Sequence, residues 1–201
     1  MGDLMLLRHG QTEWSVSGRH TGRTDIPLTV QGVADAAALA PMVTRMTAAG
    51  RLAGVFASPA QRAQRTAELA GLTVTKTDPD LWEWDYGGYE GITTAEIQRE
   101  RPGWSLWRDG VVPGGAGHPG ESVESVGERA DRVIERAAPL LADGDVVLVA
   151  HGHMLRILTA RWLGLPPAGG RLFRLDTGTV STLGTEHGEP VILTWNAPPG
   201  Q

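Results

Sequence analysis

The chain has 201 residues, with 23 acidic and 18 basic side chains, six histidines and no cysteine. That length suits one domain with a sizeable core, and the missing thiol excludes disulfides, thiolate metal sites, iron–sulfur clusters and a cysteine nucleophile. The formal net charge of −5 argues against non-specific nucleic-acid binding, while 17 of the 18 basic residues are arginine, so anion contacts would be made by guanidinium forks.

In chain order, residues 4–7 read as a short buried strand that ends at Arg8. Thr29 is placed to cap a long alanine-rich helix running to about Ala49, which Pro41 should kink or split. A second short strand spans 54–57, and Ser58-Pro59 then reads as a cap and first turn of a helix through Ala70. Residues 73–75 are candidates for a third strand. A helical period returns over 121–142, with Val123, Val126, Ala130, Val133, Ala137 and Leu140 on one face. Residues 145–150 form the clearest buried strand, and 153–163 are again helical up to Gly164. The tail reads as three hairpin-type strands at 171–175, 179–183 and 190–195. Alternating β and α elements imply an α/β fold, a mostly parallel sheet covered on both faces. The glycine- and proline-rich stretch at 112–120 is expected to be a flexible loop near 110–120 within a single domain spanning 1–201.

Polar clusters follow three of these strands. They are Arg8-His9-Gly10-Gln11-Thr12, Ser58-Pro59-Ala60-Gln61-Arg62 and His151-Gly152-His153. In a parallel sheet all three would share the carboxyl edge, where open α/β folds bind ligands. Two histidines and two arginines at one edge suit an anion that must also be attacked. Taken singly, a histidine after a strand is more often a structural hydrogen-bonder, and an early helical arginine is usually a solvated charge. A metal pair at His151 and His153 is disfavoured because no acidic residues stand nearby at metallohydrolase spacing.

The run Leu-Leu-Arg-His-Gly-Gln-Thr-Glu-Trp at 6–14 resembles the signature of the histidine phosphatase superfamily, the phosphoglycerate-mutase-like fold. Gly22 with 25–29, Ser58-Pro59 with Arg62 and 66–68, 81–83 with Tyr86-Gly87 and Glu90-Gly91, Gly120-Glu121-Ser122, and 149–152 continue the resemblance in order. It implies a three-layer α/β/α sandwich and a metal-independent phosphomonoesterase with no cofactor. His9 would be the nucleophile, forming a phosphohistidine. Arg8, Arg62 and His151 would surround the phosphoryl oxygens, with guanidinium and imidazolium groups supplying the positive charge. Glu83 would be the general acid and then the base, with flanking Trp82 and Trp84 and bound phosphate raising its pKa.

Gln11, Thr12, Ser15, Thr21, Gly22, Arg108 and Gly152 are expected to line the substrate site, Ser15 standing where the family commonly has asparagine. Arg23 and Arg108 are candidates for a second anionic group, each with a solvated loop arginine as the alternative. Trp14, Trp82 and Trp84 are expected near the pocket, and Trp104, Trp107, Trp162 and Trp195 in packing. His153 should face its helix, and His20, His118 and His187 should be solvated. Trp84-Asp85 in place of the mutases' Arg-His after the acidic residue, and a compact 102–120 segment, favour a phosphatase over a cofactor-dependent phosphoglycerate mutase. The latter and a non-catalytic phospho-ligand binder stay open.

The chain is similar to sedoheptulose-bisphosphatase-type and actinobacterial acid phosphatases, which implies a small phosphorylated metabolite as substrate, whether a sugar phosphate or a phosphoglycerate-like acid. Relatives often form homodimers. No segment reaches the roughly 18 apolar residues of a membrane helix, and Asp3 and Arg8 interrupt any signal-peptide core, so no membrane contact and a cytoplasmic location are expected.

Overall fold

The structure, a computed structural model, describes residues 2–48 and 52–200. Its elements are β1 (Leu4–Arg8), α1 (Glu13–Ser17), α2 (Val30–Ala38), α3 (Ala40–Ala48), β2 (Leu52–Ala57), α4 (Gln61–Leu69), β3 (Lys76–Thr77), α5 (Thr94–Glu100), α6 (Leu106–Asp109), α7 (Val123–Ala137), β4 (Asp145–Ala150), α8 (Gly152–Trp162), β5 (Val180–Glu186) and β6 (Glu189–Ala197). One six-stranded sheet runs in the order β3-β2-β4-β1-β5-β6. β3, β2, β4 and β1 are parallel, β5 runs antiparallel to β1, and β6 pairs antiparallel with β5.

Strand alternation builds two cores, as period-two side-chain geometry requires. Leu4, Leu6, Val146, Leu148 and Ala150 join Val126, Val133 and Leu155 from α7 and α8 on one face. Met5, Leu7, Val147 and Val149 meet Met42, Val43, Ala63 and Ala67 from α3 and α4 on the other. Helices therefore cover both faces of a mostly parallel sheet. Register brings Arg8 opposite Ala150 and Ala57 opposite Val149, so three strand ends open on one edge.

Thr29 caps α2 through Gly32 N–H, and the alanine-rich helix breaks at Leu39, two residues before Pro41; its expected end at Ala49 lies outside the described residues. Four sequence expectations differ from the fold. The third strand falls at 76–77, because Thr75 folds back onto Val55 through both its N–H and its hydroxyl. Residues 171–175 are not a strand. Pro167–Leu172 is a 3-10 turn, started by a proline pair and tightened by Gly169 and Gly170. Helix α4 begins at Gln61, not at Pro59, and its end is capped by Asp25 from a distant loop, whose carboxylate accepts from Gln61 N–H at 3.0 and 3.1 Å. The α-helix of 121–142 spans only Val123–Ala137 and continues as a 3-10 turn at Pro139. Among the described residues no helix is long and apolar enough to cross a membrane.

Candidate active site

His9 follows β1 directly, with its N–H on the carbonyl of Ala150 at 3.0 Å. Its ring Nδ1 lies 2.7 Å from the carbonyl oxygen of Gly10. A carbonyl only accepts, so Nδ1 carries the proton and Nε2 keeps its lone pair. Burial first, then the positive charges of Arg62 and Arg8, hold the imidazole pKa well below its usual 6.5, against a smaller upward pull from Gly10. His9 is thus neutral and locked in one tautomer. The loop that carries it is pressed onto α2. A Cβ at Gly10 would lie 2.5 Å from the carbonyl oxygen of Gly32, so both positions need glycine for this approach.

Arg62 and His151 sit one layer behind. Both are fully buried, and the His151 ring meets His9 edge-on at 5.1 Å. Arg62 Nε donates to His151 Nδ1 at 3.2 Å, which leaves the proton on Nε2, 2.7 Å from the Ser58 hydroxyl. Arg62 also donates to the carbonyls of Thr24, Gly22 and Thr21. Burial, then Arg62, His9, Arg8 and Arg129, keeps His151 well below 6.5. His151 is therefore a neutral imidazole here, not the expected imidazolium. Both its ring nitrogens are engaged, and they do not converge with His153 on a metal position. Ser58, expected as a helix cap, accepts from Ala60 N–H at 3.3 Å as well as from His151.

Glu83 caps the other side. Its Oε1 accepts from the N–H groups of Met154 at 2.8 Å and Trp84 at 2.9 Å, and Oε2 accepts from His153 N–H at 3.0 Å. The N-terminal turn of α8, an anion-binding geometry, is thus occupied by the protein's own carboxylate. Arg129 fixes the approach to Glu83 by donating to the carbonyls of Asp80, Trp82 and Glu83 while forking onto Glu121. Arg8 donates to the carbonyl of Leu175, and its buried Nε has no hydrogen-bond partner among the described residues. The guanidinium lies so close to Gly152 that a Cβ there would sit 3.1 Å from its Cζ.

A cleft of about 220 Å³ opens on this floor, lined by Arg8, His9 and Glu83. Of the other expected substrate residues, Thr12, Ser15 and Thr21 line it too. Thr12 and Ser15 form the capping box of α1, and the Ser15 hydroxyl donates to the Thr12 carbonyl. Gly22 touches Arg62 through its carbonyl and clears Trp84, whose carbonyl would lie 2.6 Å from a Cβ. Gly152 makes room for Arg8. Gln11 does not reach the cleft; its side chain accepts from Thr29. Neither does Arg108, an exposed side chain joined to Asp109 and the Gly103 carbonyl. Arg23 lies over Trp82 at 5.4 Å, and Trp82 runs parallel to the His151 ring at 6.3 Å. Trp84 is core, with its indole N–H on Glu121, and Trp14 packs on Gly91.

Two cleft residues run against expectation. His20 is only 8 % exposed, held by Nδ1 against the Ile92 carbonyl at 2.6 Å. His153 turns into the cleft, with Nδ1 2.6 Å from the Tyr86 hydroxyl and 4.0 Å from Glu83 Oε2. The available signals were the adjacency of His20 to Thr21-Gly22 and the position of His153 in the first turn after a strand end. His118 is half-buried beside Glu90, whereas His187 is exposed in the β5–β6 turn. The 112–120 segment lies along Gly87 and Gly88, with Gly88 N–H on the Val112 carbonyl.

A mostly parallel sheet whose strand ends set a neutral histidine among buried arginines defines a class: α/β proteins that hold an anion against a histidine at the carboxyl edge. Residues 4–198 match the Histidine phosphatase superfamily (branch 1), and the chain belongs to that family. It is 41% identical over 193 residues to an acid phosphatase of Mycobacterium tuberculosis, covering 92% of this chain and 87% of the relative. Identity to the sedoheptulose 1,7-bisphosphatase of Saccharomyces cerevisiae is 37% over 190 residues, covering 80% and 67%. The solved structure of an open reading frame from Mycobacterium tuberculosis superposes with a TM-score of 0.90 at 38% identity, over 98% of both chains. The family and these two relatives carry phosphatase names, whereas a probable phosphoglycerate mutase of Cronobacter sakazakii is 33% identical over 185 residues, covering 90% of this chain and 84% of the relative.

Proposed function

We propose that the protein is a metal-independent phosphomonoesterase of small phosphorylated metabolites, working through a phosphohistidine on His9. The observation that carries this reading is the His9 ring: a proton fixed on Nδ1 by Gly10, burial and then two arginines that keep it neutral, and an Nε2 lone pair left on the cleft floor. Nε2 attacks phosphorus as the ester P–O bond breaks. Protonated Glu83 gives its proton to the departing alkoxide. The Glu83 carboxylate then takes a proton from water, whose oxygen attacks phosphorus, freeing phosphate and restoring the Nε2 lone pair.

Arg8, with an unpartnered Nε beside the cleft, is the direct phosphoryl ligand. Arg62 and His151 meet the same oxygens by exchanging neutral partners for charged ones. A phosphate dianion is a stronger acceptor than the Thr21 and Gly22 carbonyls that Arg62 now holds, or the Ser58 hydroxyl on His151.

A panel of phosphorylated metabolites, assayed for phosphate release in chelator with wild type and His9→Ala, tests this. Wild type should turn over and form an acid-labile, alkali-stable phosphoenzyme that the variant lacks. Undiminished turnover in His9→Ala would sink the mechanism. Isomerisation of 3-phosphoglycerate faster than phosphate release, with catalytic 2,3-bisphosphoglycerate supplied, would make the protein a mutase.

A further inference from the structure

Beyond its charged floor, the cleft has a wall of neutral hydrogen-bonding groups on the Glu83 side: His20, Tyr86 and His153. His20 is the best defined of them. Its Nδ1 must donate to the Ile92 carbonyl, so its Nε2 presents a lone pair. That Nε2 has no hydrogen-bond partner among the described residues, and the ring lines the cleft. Tyr86 at 4.8 Å and Trp104 at 5.8 Å hold the ring in place. Burial keeps His20 below its usual pKa, so the ring stays neutral. Beside it, burial keeps Tyr86 a protonated phenol, hydrogen-bonded to a neutral His153. The further cation on the lining is Arg19, an exposed residue at the cleft mouth that donates to the Gly91 carbonyl.

A fixed lone pair accepts a proton from a hydroxyl and repels a carboxylate or carbonyl oxygen, which have none to give. We infer that His20 is a specificity residue whose Nε2 accepts a hydrogen bond from a leaving-group hydroxyl, making aliphatic polyol phosphates the substrate class in preference to phosphorylated carboxylic acids of the same size. This rests on the phosphatase reading above and narrows it.

The test compares kcat/KM for glycerol 3-phosphate, a hexose phosphate, 3-phosphoglycerate and p-nitrophenyl phosphate in wild type and His20→Phe. Phenylalanine keeps the ring packing and removes the lone pair. The polyol phosphates should lose about 10- to 100-fold, and the aryl phosphate, with no hydroxyl to read, less than about 3-fold. Deoxyfluoro hexose phosphates need no variant: fluorine accepts but cannot donate, so wild type should discriminate against it at one ring position by a similar factor. Equal losses on all four substrates would assign His20 a structural role only. A wild type that prefers 3-phosphoglycerate, or that tolerates fluorine at every position, would overturn the inference while leaving phosphohistidine chemistry intact. Phosphate release from no compound at all would instead bring down the phosphatase reading, and this inference with it.

Discussion

Acidification from pH 7.5 to 5.5 should destabilise this protein by several kcal/mol, because it folds around imidazoles that must stay neutral. His9 and His151 are at most 5 % exposed and His153 is enclosed by Trp84, Tyr86 and Trp107. All three sit well below 6.5, first through burial and then through nearby positive charge: Arg62 and Arg8 for His9, Arg62, His9 and Arg8 for His151, Arg156, His20 and Arg8 for His153. In the unfolded chain each would titrate near 6.5. Between these limits the unfolded state binds more protons, so stability is full above pH 6.5 and falls as pH drops towards the native values. At pH 5.5 the unfolded chain gains on the order of 1 kcal/mol per histidine, or a few kcal/mol for three. His20 acts in the same direction. Asp3, raised by burial and by Asp145, acts in the opposite one at lower pH. Against a typical total of about 5–15 kcal/mol, the loss is large. Urea denaturation followed by tryptophan fluorescence at the two pH values, at equal ionic strength and without phosphate, measures it. His153→Asn should shrink the difference by about one third. A wild-type change below about 1 kcal/mol would refute the reasoning.

Other consequences are open to direct measurement. Glu83→Gln should slow hydrolysis of alkyl phosphates by about 10²- to 10⁴-fold and p-nitrophenyl phosphate less, since its leaving group needs little protonation; equal losses would reduce Glu83 to a helix cap. Arg129→Met removes the fork onto Glu121 and the clamp on three carbonyls, leaving the Glu121 carboxylate with only Asp85 N–H and the more distant Arg23, so urea denaturation should show a loss of about 3–5 kcal/mol. Adding Glu121→Gln should recover part of it, and no recovery would count against the unpaired-charge account. Asp25→Ala strips the cap from α4 and should cost about 0.5–2 kcal/mol in thermal unfolding, whereas Asp25→Asn should keep most of it.

What could be read from the chain follows from which interactions are local. The strands after which Arg8 and His151 stand are apolar runs bounded by charge, and α7 shows its buried stripe, so they sit where the sequence puts them. Thr29 caps the residue three positions on, a contact its own neighbourhood specifies. Asp25 capping α4, by contrast, joins residues 36 apart, and no local pattern announces it. His20 is buried because Ile92, 72 positions away, folds onto it. The Ser15 hydroxyl and the Arg108 guanidinium both find partners within a few residues, which draws them away from the anion-binding roles their chemistry allows. The three strand ends brought Arg8, His9, Arg62 and His151 to one edge, and the family resemblance added Glu83; only the fold shows Arg62 and His151 standing a layer behind the cleft floor.

The segment around His20 is sewn to the rest of the molecule by one isolated bridge, Arg19 to Thr93, and by paired backbone bonds from His20 to Ile92 and from Gly91 to His20. Arg8 and His9 hang from a strand end buried in the sheet, while His20 and Thr21 on the cleft wall hang from this seam. Drift along residues 18–21 and 91–94 can therefore reshape that wall of the cleft without disturbing the strand that carries His9. A directed-evolution library confined to that seam would explore new substrates on an inherited reaction.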